Sequence, residues 1–329
     1  MTKLIVVGGR DRKPKPKPGE GPQHDAGVII SVDVESGEIE PCVLDNTIPQ
    51  FLHDKTQVGT VYKAATITPD IAYICSTTEI IEYDPETWQP RCRITHPLFN
   101  DLHHVLPSHD GHLYVANTGL DRVLKIDNNG ELLEVLATGE ESLQRTIDAD
   151  VDYRQIASTK PHFVHPNFVF YVGETLYCTR FNQKDAIAVS GDGGRFNIEE
   201  GNVHDGVVHN GKVYFTCTNG RVVCFDLATQ QKLLSIDLNQ LIQENRPLGW
   251  CRSVAVIDDE RLAVGFSRLR PTKFKENIDW VTNRLGIDKG VIPKPSRLSI
   301  VNMRTLEVEK DICLESADMH AIFSVHRFR

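Results

Sequence analysis

One short pattern recurs along this chain and limits what it can fold into. An apolar strand ends in Asp or Asn, a turn follows, and a second strand returns. The copies are Ile29 to Asp33, Ile80 to Asp84, Val123 to Asp127, Val222 to Asp226 and Leu298 to Asn302, with a looser sixth from Ala186 to Ser190. Asp and Asn suit that corner because their side chains bond to the turn backbone. A second hairpin precedes most copies, with His109-Asp110-Gly111 and His209-Asn210-Gly211 as its tight turns. Four strands per unit, repeated with few helical stretches, predict a β-propeller.

Five complete units lie at about 61–95, 102–138, 162–198, 202–238 and 250–315. The two ends supply a sixth, about 317–329 plus 1–44. Ala321 to Val325 forms its inner strand, Leu4 to Val7 follows, and the Asp33 hairpin completes it. Pairing of the termini closes the ring and removes the exposed edges that an open array would leave. Pro41 falls in the outermost strand of this blade, where fewer donors are needed. The expected fold is therefore all-β: one six-bladed propeller of four-stranded blades spanning residues 1–329. A β-sandwich, or two smaller β domains, is the alternative.

Composition narrows the function classes. A chain of 329 residues with 40% hydrophobic and 25% charged residues can build a sizeable core. Its net charge of −9 argues against a general nucleic-acid binder, which is usually basic. No apolar run approaches the ~18 residues of a membrane span, and the N-terminus is too weakly apolar for a signal peptide. The eight cysteines show no paired spacing and read as reduced thiols. The expectation is a cytoplasmic protein with no nucleic-acid or membrane partner. There is no GxGxxG, P-loop, GxSxG or HExxH motif.

The long connections all fall on one face of the expected disc. Segments 45–60, 139–161 and 239–249 link blades, while 8–27 and 266–296 join second to third strands. Site-building loops cluster in this way on rigid scaffolds. Segment 266–296 reads as a lid. It carries Arg268 and Arg270, and Arg180 sits at a similar corner. Positive charge gathered on one face of an acidic protein suggests a small anionic ligand.

Histidines recur where the inner strands start. Aligning the two Gly turns sets His104 level with His204. Aligning Asp101-Leu102-His103, Asn202-Val203-His204 and Asp318-Met319-His320 sets His103 level with His204 and His320 instead. A bulge could reconcile the two, so the choice between His103 and His104 stays open. His165 falls near the same level in blade three and Lys63 in blade one, while blade five offers Cys251, Arg252 and Ser253. Converging imidazoles suit a divalent transition metal: Fe, Zn, Mn, Ni or Cu. Asp101, Asp205 and Asp318 stand beside them as ring-orienting partners or general bases. His24, His53, His96, His112 and His326 have no counterparts between blades and read as surface residues.

At this level the chain resembles the six-bladed propeller superfamily of NHL-repeat proteins and the gluconolactonase-like and strictosidine-synthase-like enzymes. The resemblance rests on the blade pattern, and it implies a site at the channel mouth on the elaborated face. Lactonase-like members use carboxylate and amide ligands for a hard cation, whereas the candidates here are mostly imidazoles. The leading expectation is a metal-dependent enzyme for a small anionic metabolite. His103 or His104, His165, His204 and His320 would hold the metal, and Lys63, Arg180, Arg252, Arg268 and Arg270 the substrate. Hydrolysis, elimination and oxidation all stay open. The alternative is a non-catalytic module whose elaborated face docks a protein or an acidic polymer. An enzyme should have a deep pocket; a docking module should show a broad apolar patch.

Overall fold

A computed structural model describes residues 2–13, 23–49, 60–242, 246–269 and 294–328. It contains six antiparallel four-stranded sheets. From the N-terminus come β1 (Lys3–Asp11), β2 (His24–Asp33) and β3 (Ile39–Asp45), which are the outer three strands of blade six. Blade one is β4 (Ala65–Ile67), β5 (Ala72–Cys75), β6 (Ile80–Tyr83) and β7 (Pro90–Ile94). Blade two is β8 (Leu102–Pro107), β9 (Leu113–Asn117), β10 (Arg122–Ile126) and β11 (Leu132–Ala137). Blade three is β12 (Pro166–Val172), β13 (Thr175–Arg180), β14 (Asp185–Ser190) and β15 (Arg195–Asn197). Blade four is β16 (Val203–His209), β17 (Lys212–Cys217), β18 (Arg221–Asp226) and β19 (Lys232–Asp237). Blade five is β20 (Trp250–Val256), β21 (Arg261–Ser267), β22 (Arg297–Asn302) and β23 (Glu307–Cys313). Finally β24 (Ala321–Arg327) returns as the inner strand of blade six.

The recurring Asp and Asn corners do what their chemistry suggests. Asp33 Oδ1 accepts from the Ser36 N–H, Asp84 Oδ1 from Thr87, Asp127 Oδ1 from Asn129, Asp226 Oδ1 from Thr229, and Asn302 Oδ1 from Thr305. Each side chain satisfies turn donors that no strand partner can reach.

Packing makes the ring. The middle strands are buried on both faces, as in Val222-Val223-Cys224-Phe225, because each blade is covered by a neighbour on either side. Among the described residues, the six larger apolar clusters lie chiefly between consecutive blades. The cluster of Ile5, Val7, Ile29, Tyr62 and Ile74 joins blade six to blade one and completes the circle. The terminal strands pair Leu4 with Arg327, Val6 with Val325 and Gly8 with Ile322.

One expectation about the loops changes. β1 and β2 stay paired through Gly9–Gly27 and Arg10–Ala26. Residues 8–11 and 24–27 are thus strand, not connection, and the insertion begins only after Asp11. The Lys-Pro stretch from Pro14 on, most of the 266–296 segment and Arg270 lie outside the described residues. Among the described residues no helix is long and apolar enough to cross a membrane.

Candidate functional site

The inner strands share one irregularity, and it builds the site. In blade two Leu102 pairs with Asn117 and His104 with Ala116, so His103 is an extra residue bulging from the ladder. Arg252 in β20 and Phe323 in β24 bulge in the same way. In β16 both His204 and Asp205 lie opposite the single residue Thr216. In β12 Asn167 and Phe168 lie opposite Thr179. A bulge re-aims a side chain that regular pleating would send elsewhere. Here Lys63, His103, Asn167, His204, Arg252 and Phe323 come to one level, one per blade.

The bulge decides between the two histidines. His103 lines a cavity of ≈ 590 Å³ at the channel mouth. His104 turns away and stacks on Phe168 at 3.7 Å between ring centroids. Its Nδ1 accepts from the Val169 N–H, and its Nε2 faces Thr66 Oγ1 and the Ala65 carbonyl. Both nitrogens of His104 are therefore engaged in blade packing. It lines a second cavity of ≈ 500 Å³ at the opposite end of the channel, with mostly apolar walls.

Around the mouth stand Lys63, Asp101, His103, His165, His204 and Arg252, with His162, Lys160, Trp250, Phe181 and Phe323 between them. The His103 ring lies 5.2 Å from that of His165 and 6.0 Å from that of His204. Each has a partner on Nδ1: the Asp101 carbonyl at 2.9 Å for His103, Asp205 Oδ1 at 2.8 Å for His204, and His162 Nδ1 at 2.8 Å for His165. The loop bearing His162 and His165 is built on Asp121. That fully buried carboxylate accepts the N–H groups of Phe163, Val164 and His165. Asp101 and His165 both adopt left-handed backbone, at φ 47 and 59, an arrangement that clusters at functional sites.

Burial dominates the electrostatics. It pushes His103 well below the usual imidazole range, reinforced by Lys63, and His204 likewise, reinforced by Arg252. It takes His165 down to about 3. Asp205, only 1% exposed behind His204, is pushed well above the usual carboxylate range by the same burial. Burial also works against ionisation of Asp101, but Lys63, 3.0 Å away, holds it well below that range.

Phe323 forms the floor. Its ring lies 6.3 Å from His103, 6.1 Å from His204, 4.7 Å from Lys63 Nζ and 4.8 Å from Arg252 Cζ, which belong to four other blades. One side chain thus meets groups from four other blades and covers the His103 and His204 rings on one side. Phe323→Ala is expected to raise the titration points of His103 and His204 by at least about 1 pH unit, because the ring supplies much of their burial. Imidazole proton shifts followed by NMR across pH would check this. Unchanged titration would show that Phe323 does not shield them.

Other candidates lie elsewhere. His320 sits three residues before the level residue of its blade, and its Nδ1 accepts from the Asp11 N–H. The Asp-x-His likeness misled because Ala321 pairs with Gly9, which places Phe323, not His320, at the bulge. Asp318 is partly exposed and 3.6 Å from Lys13. Arg180 is buried in a two-pronged pair with Asp185, 2.8 and 2.6 Å, and holds blade three together. Arg268 is tied to Asp11 and Glu315. Asp205 stands behind His204 and does not line the cavity. His24 and His326 are not surface residues: His24 is buried against Asp11, and His326 lines the second cavity. His162, Lys160, Phe181, Trp250 and Phe323 join the site without a sequence signal except that Trp250 and Phe323 fall near inner-strand starts.

No protein-family model matches the chain, and no curated protein matches it. Solved structures do. A Bacteroides caccae protein of unknown function aligns over 100% of both chains at 13% identity, with a TM-score of 0.61. Streptogramin B lyase aligns over 80% of this chain and 83% of its own at 10% identity, with a TM-score of 0.47. The dihydro-heme d1 dehydrogenase NirN aligns over 94% of this chain and 53% of its own at 12% identity, with a TM-score of 0.43. The first likeness is one of fold alone, and the other two are too slight to bear on function.

Proposed function

We propose that the protein is an enzyme that binds a small organic anion at the channel mouth and moves a proton on it. One observation carries this reading. His204 Nε2 is buried and has no hydrogen-bond partner among the described residues, in a cavity that also presents Lys63 and Arg252. A buried polar atom without a partner marks a place where a ligand atom completes the bonding. The cavity volume also lies within the ~300–1,000 Å³ typical of small-molecule sites. A cavity of this size that presents charged and imidazole side chains favours an enzyme over a docking module.

The neighbours set the proton positions. The Asp101 carbonyl can only accept, so the neutral His103 carries its proton on Nδ1 and keeps a lone pair on Nε2. Burial favours the neutral acid form of Asp205, in which its O–H donates to His204 Nδ1 and leaves the His204 proton on Nε2. One ring is thus a base and the other an acid. His103 takes a proton from the carbon beside the substrate carboxylate or carbonyl. The released electron pair moves onto the oxygen, where the His204 N–H, Lys63 and Arg252 meet the developing charge. Return of a proton to a different carbon gives isomerisation, and loss of a leaving group gives elimination. A bound anion offsets the charge of Lys63 and so strengthens His103 as a base when substrate is present.

A divalent transition ion, iron, zinc, manganese, nickel or copper, is the second reading. The engaged Nδ1 atoms of His103, His165 and His204 favour it, because they leave three Nε2 atoms as donors. Among the described residues, however, no group of three or more His, Cys, Asp or Glu stands ready to hold an ion. The rings would have to turn, and Asp205 would have to yield its proton.

The test works whichever product forms. A panel of small organic acids is incubated with the protein in D₂O, and exchange of carbon-bound hydrogen is followed by NMR. Exchange on at least one acid is expected, reduced about 10²- to 10⁴-fold in His103→Gln. Binding without exchange across the panel would sink the proton-transfer reading. Exchange abolished by chelator and restored by one metal would favour the second reading.

A further inference from the structure

We infer that the ligand of this cavity is an elongated dianion, with one acidic group on the floor and a second at the rim. This deepens the anion-binding reading and rests on it. Among the described residues, the charged side chains that line the cavity, apart from histidines, are Lys63, Lys160, Arg252 and Asp101. Three cations face one carboxylate in a chain whose overall charge is −9. An acidic protein that keeps a cationic cavity is matched to an anion, because like charges in a shared low-dielectric site repel and need a counter-charge.

The cations occupy two heights. Lys63 and Arg252 stand beside the floor, at 4.7 and 4.8 Å from the centroid of Phe323. Asp101 pairs with Lys63 at 3.0 Å and offsets part of this lower charge. Lys160 is exposed and enters from the connection between blades two and three, next to Pro161 and His162. The buried Lys63 and the exposed Lys160 thus offer two anchoring points to a ligand with two acidic groups. The floor suits the group next to the reacting carbon, where His103 and His204 point. The rim suits a second, non-reacting group that fixes the orientation of the ligand.

Two chemistries share this charge: a dicarboxylate, and a phosphate or phosphonate that also carries a carboxylate. Titration calorimetry at low salt separates them, using succinate, butyrate and phosphonopropionate as probes. Succinate or phosphonopropionate is expected to bind about 5- to 10-fold more tightly than butyrate, given the exposure of Lys160. Preference for succinate assigns the carboxylate source, and preference for phosphonopropionate the phosphorus-bearing source. Lys160→Met is expected to shrink the gap to less than about 2-fold, and salt to do the same. Butyrate binding as tightly as both dianions would overturn the inference while leaving the proton-transfer reading intact. A gap that persists in Lys160→Met would overturn the rim assignment. No binding by any probe, with no exchange on the acid panel, would overturn both.

Discussion

Gly8→Ala is expected to open the ring at its seam and to cost about 4 kcal/mol or more of stability, at the severe end of single substitutions. Gly8 pairs with Ile322 across the β1–β24 ladder, next to the register shift that puts Phe323 into the channel. A methyl group on Gly8 would collide with the carbonyl oxygen of Ala321, and it would lie 2.9 Å from the carbonyl carbon and 2.7 Å from Met319 Sδ. Backbone cannot step aside as a flexible side-chain tip can. β24 must move away from β1, which loosens the contacts that join the termini. Gly9→Ala is the informative comparison, since its nearest obstacle is the Val61 side chain at 2.6 Å. It should cost clearly less. Urea unfolding of both variants measures the difference, and equal costs would refute a seam that depends on Gly8. Because Phe323 moves with β24, Gly8→Ala should also disturb the histidine titrations at the site.

Acidification is expected to destabilise the protein steeply below about pH 6. Burial lowers His104 and His165 to about 3 and His326 to about 4. In the unfolded chain each would titrate near 6.5. Below that value the unfolded state binds more protons than the folded state, so stability falls as pH falls, until the folded values are reached. Each histidine contributes about 1.4 kcal/mol per pH unit, so these three give a slope of about 4 kcal/mol per unit near pH 5. His103 and His204 act in the same direction. Asp205 has the opposite sign: between its raised folded value and the ordinary carboxylate value only the folded state holds its proton, so it offsets about one histidine across this window. Against a typical total of ~5–15 kcal/mol, cooperative unfolding should occur between about pH 4 and 5. Denaturant midpoints at several pH values measure the slope. A slope below that of a single histidine would show that water reaches these rings in the folded protein.

The repeat and its consequences were legible in the chain because they rest on local chemistry. An Asp or Asn at a hairpin corner bonds to donors two or three residues away, so Asp33, Asp84, Asp127, Asp226 and Asn302 announce their turns without tertiary help. The termini could be paired because Ala321 to Val325 and Leu4 to Val7 each lacked strands that only the other could supply. That Lys63, Asp101, His103, His165, His204 and Arg252 would gather at the channel mouth was legible for the same reason, since they stand at the starts of inner strands.

What the tertiary structure alone decided is which way those residues point and what they meet. Side chains alternate along a strand, so one extra residue sends everything beyond it to the opposite face. The bulge at His103 separates it from His104, and the bulge at Phe323 puts an aromatic ring where the Asp-x-His likeness had suggested His320. Arg180 shows a second limit: whether a guanidinium faces a ligand or a buried Asp185 depends on a neighbouring strand. The floor and the meeting of His103, His165 and His204 arise from side chains on different blades. Their proximity is a property of the closed ring, in which six strands distant in sequence converge on one axis.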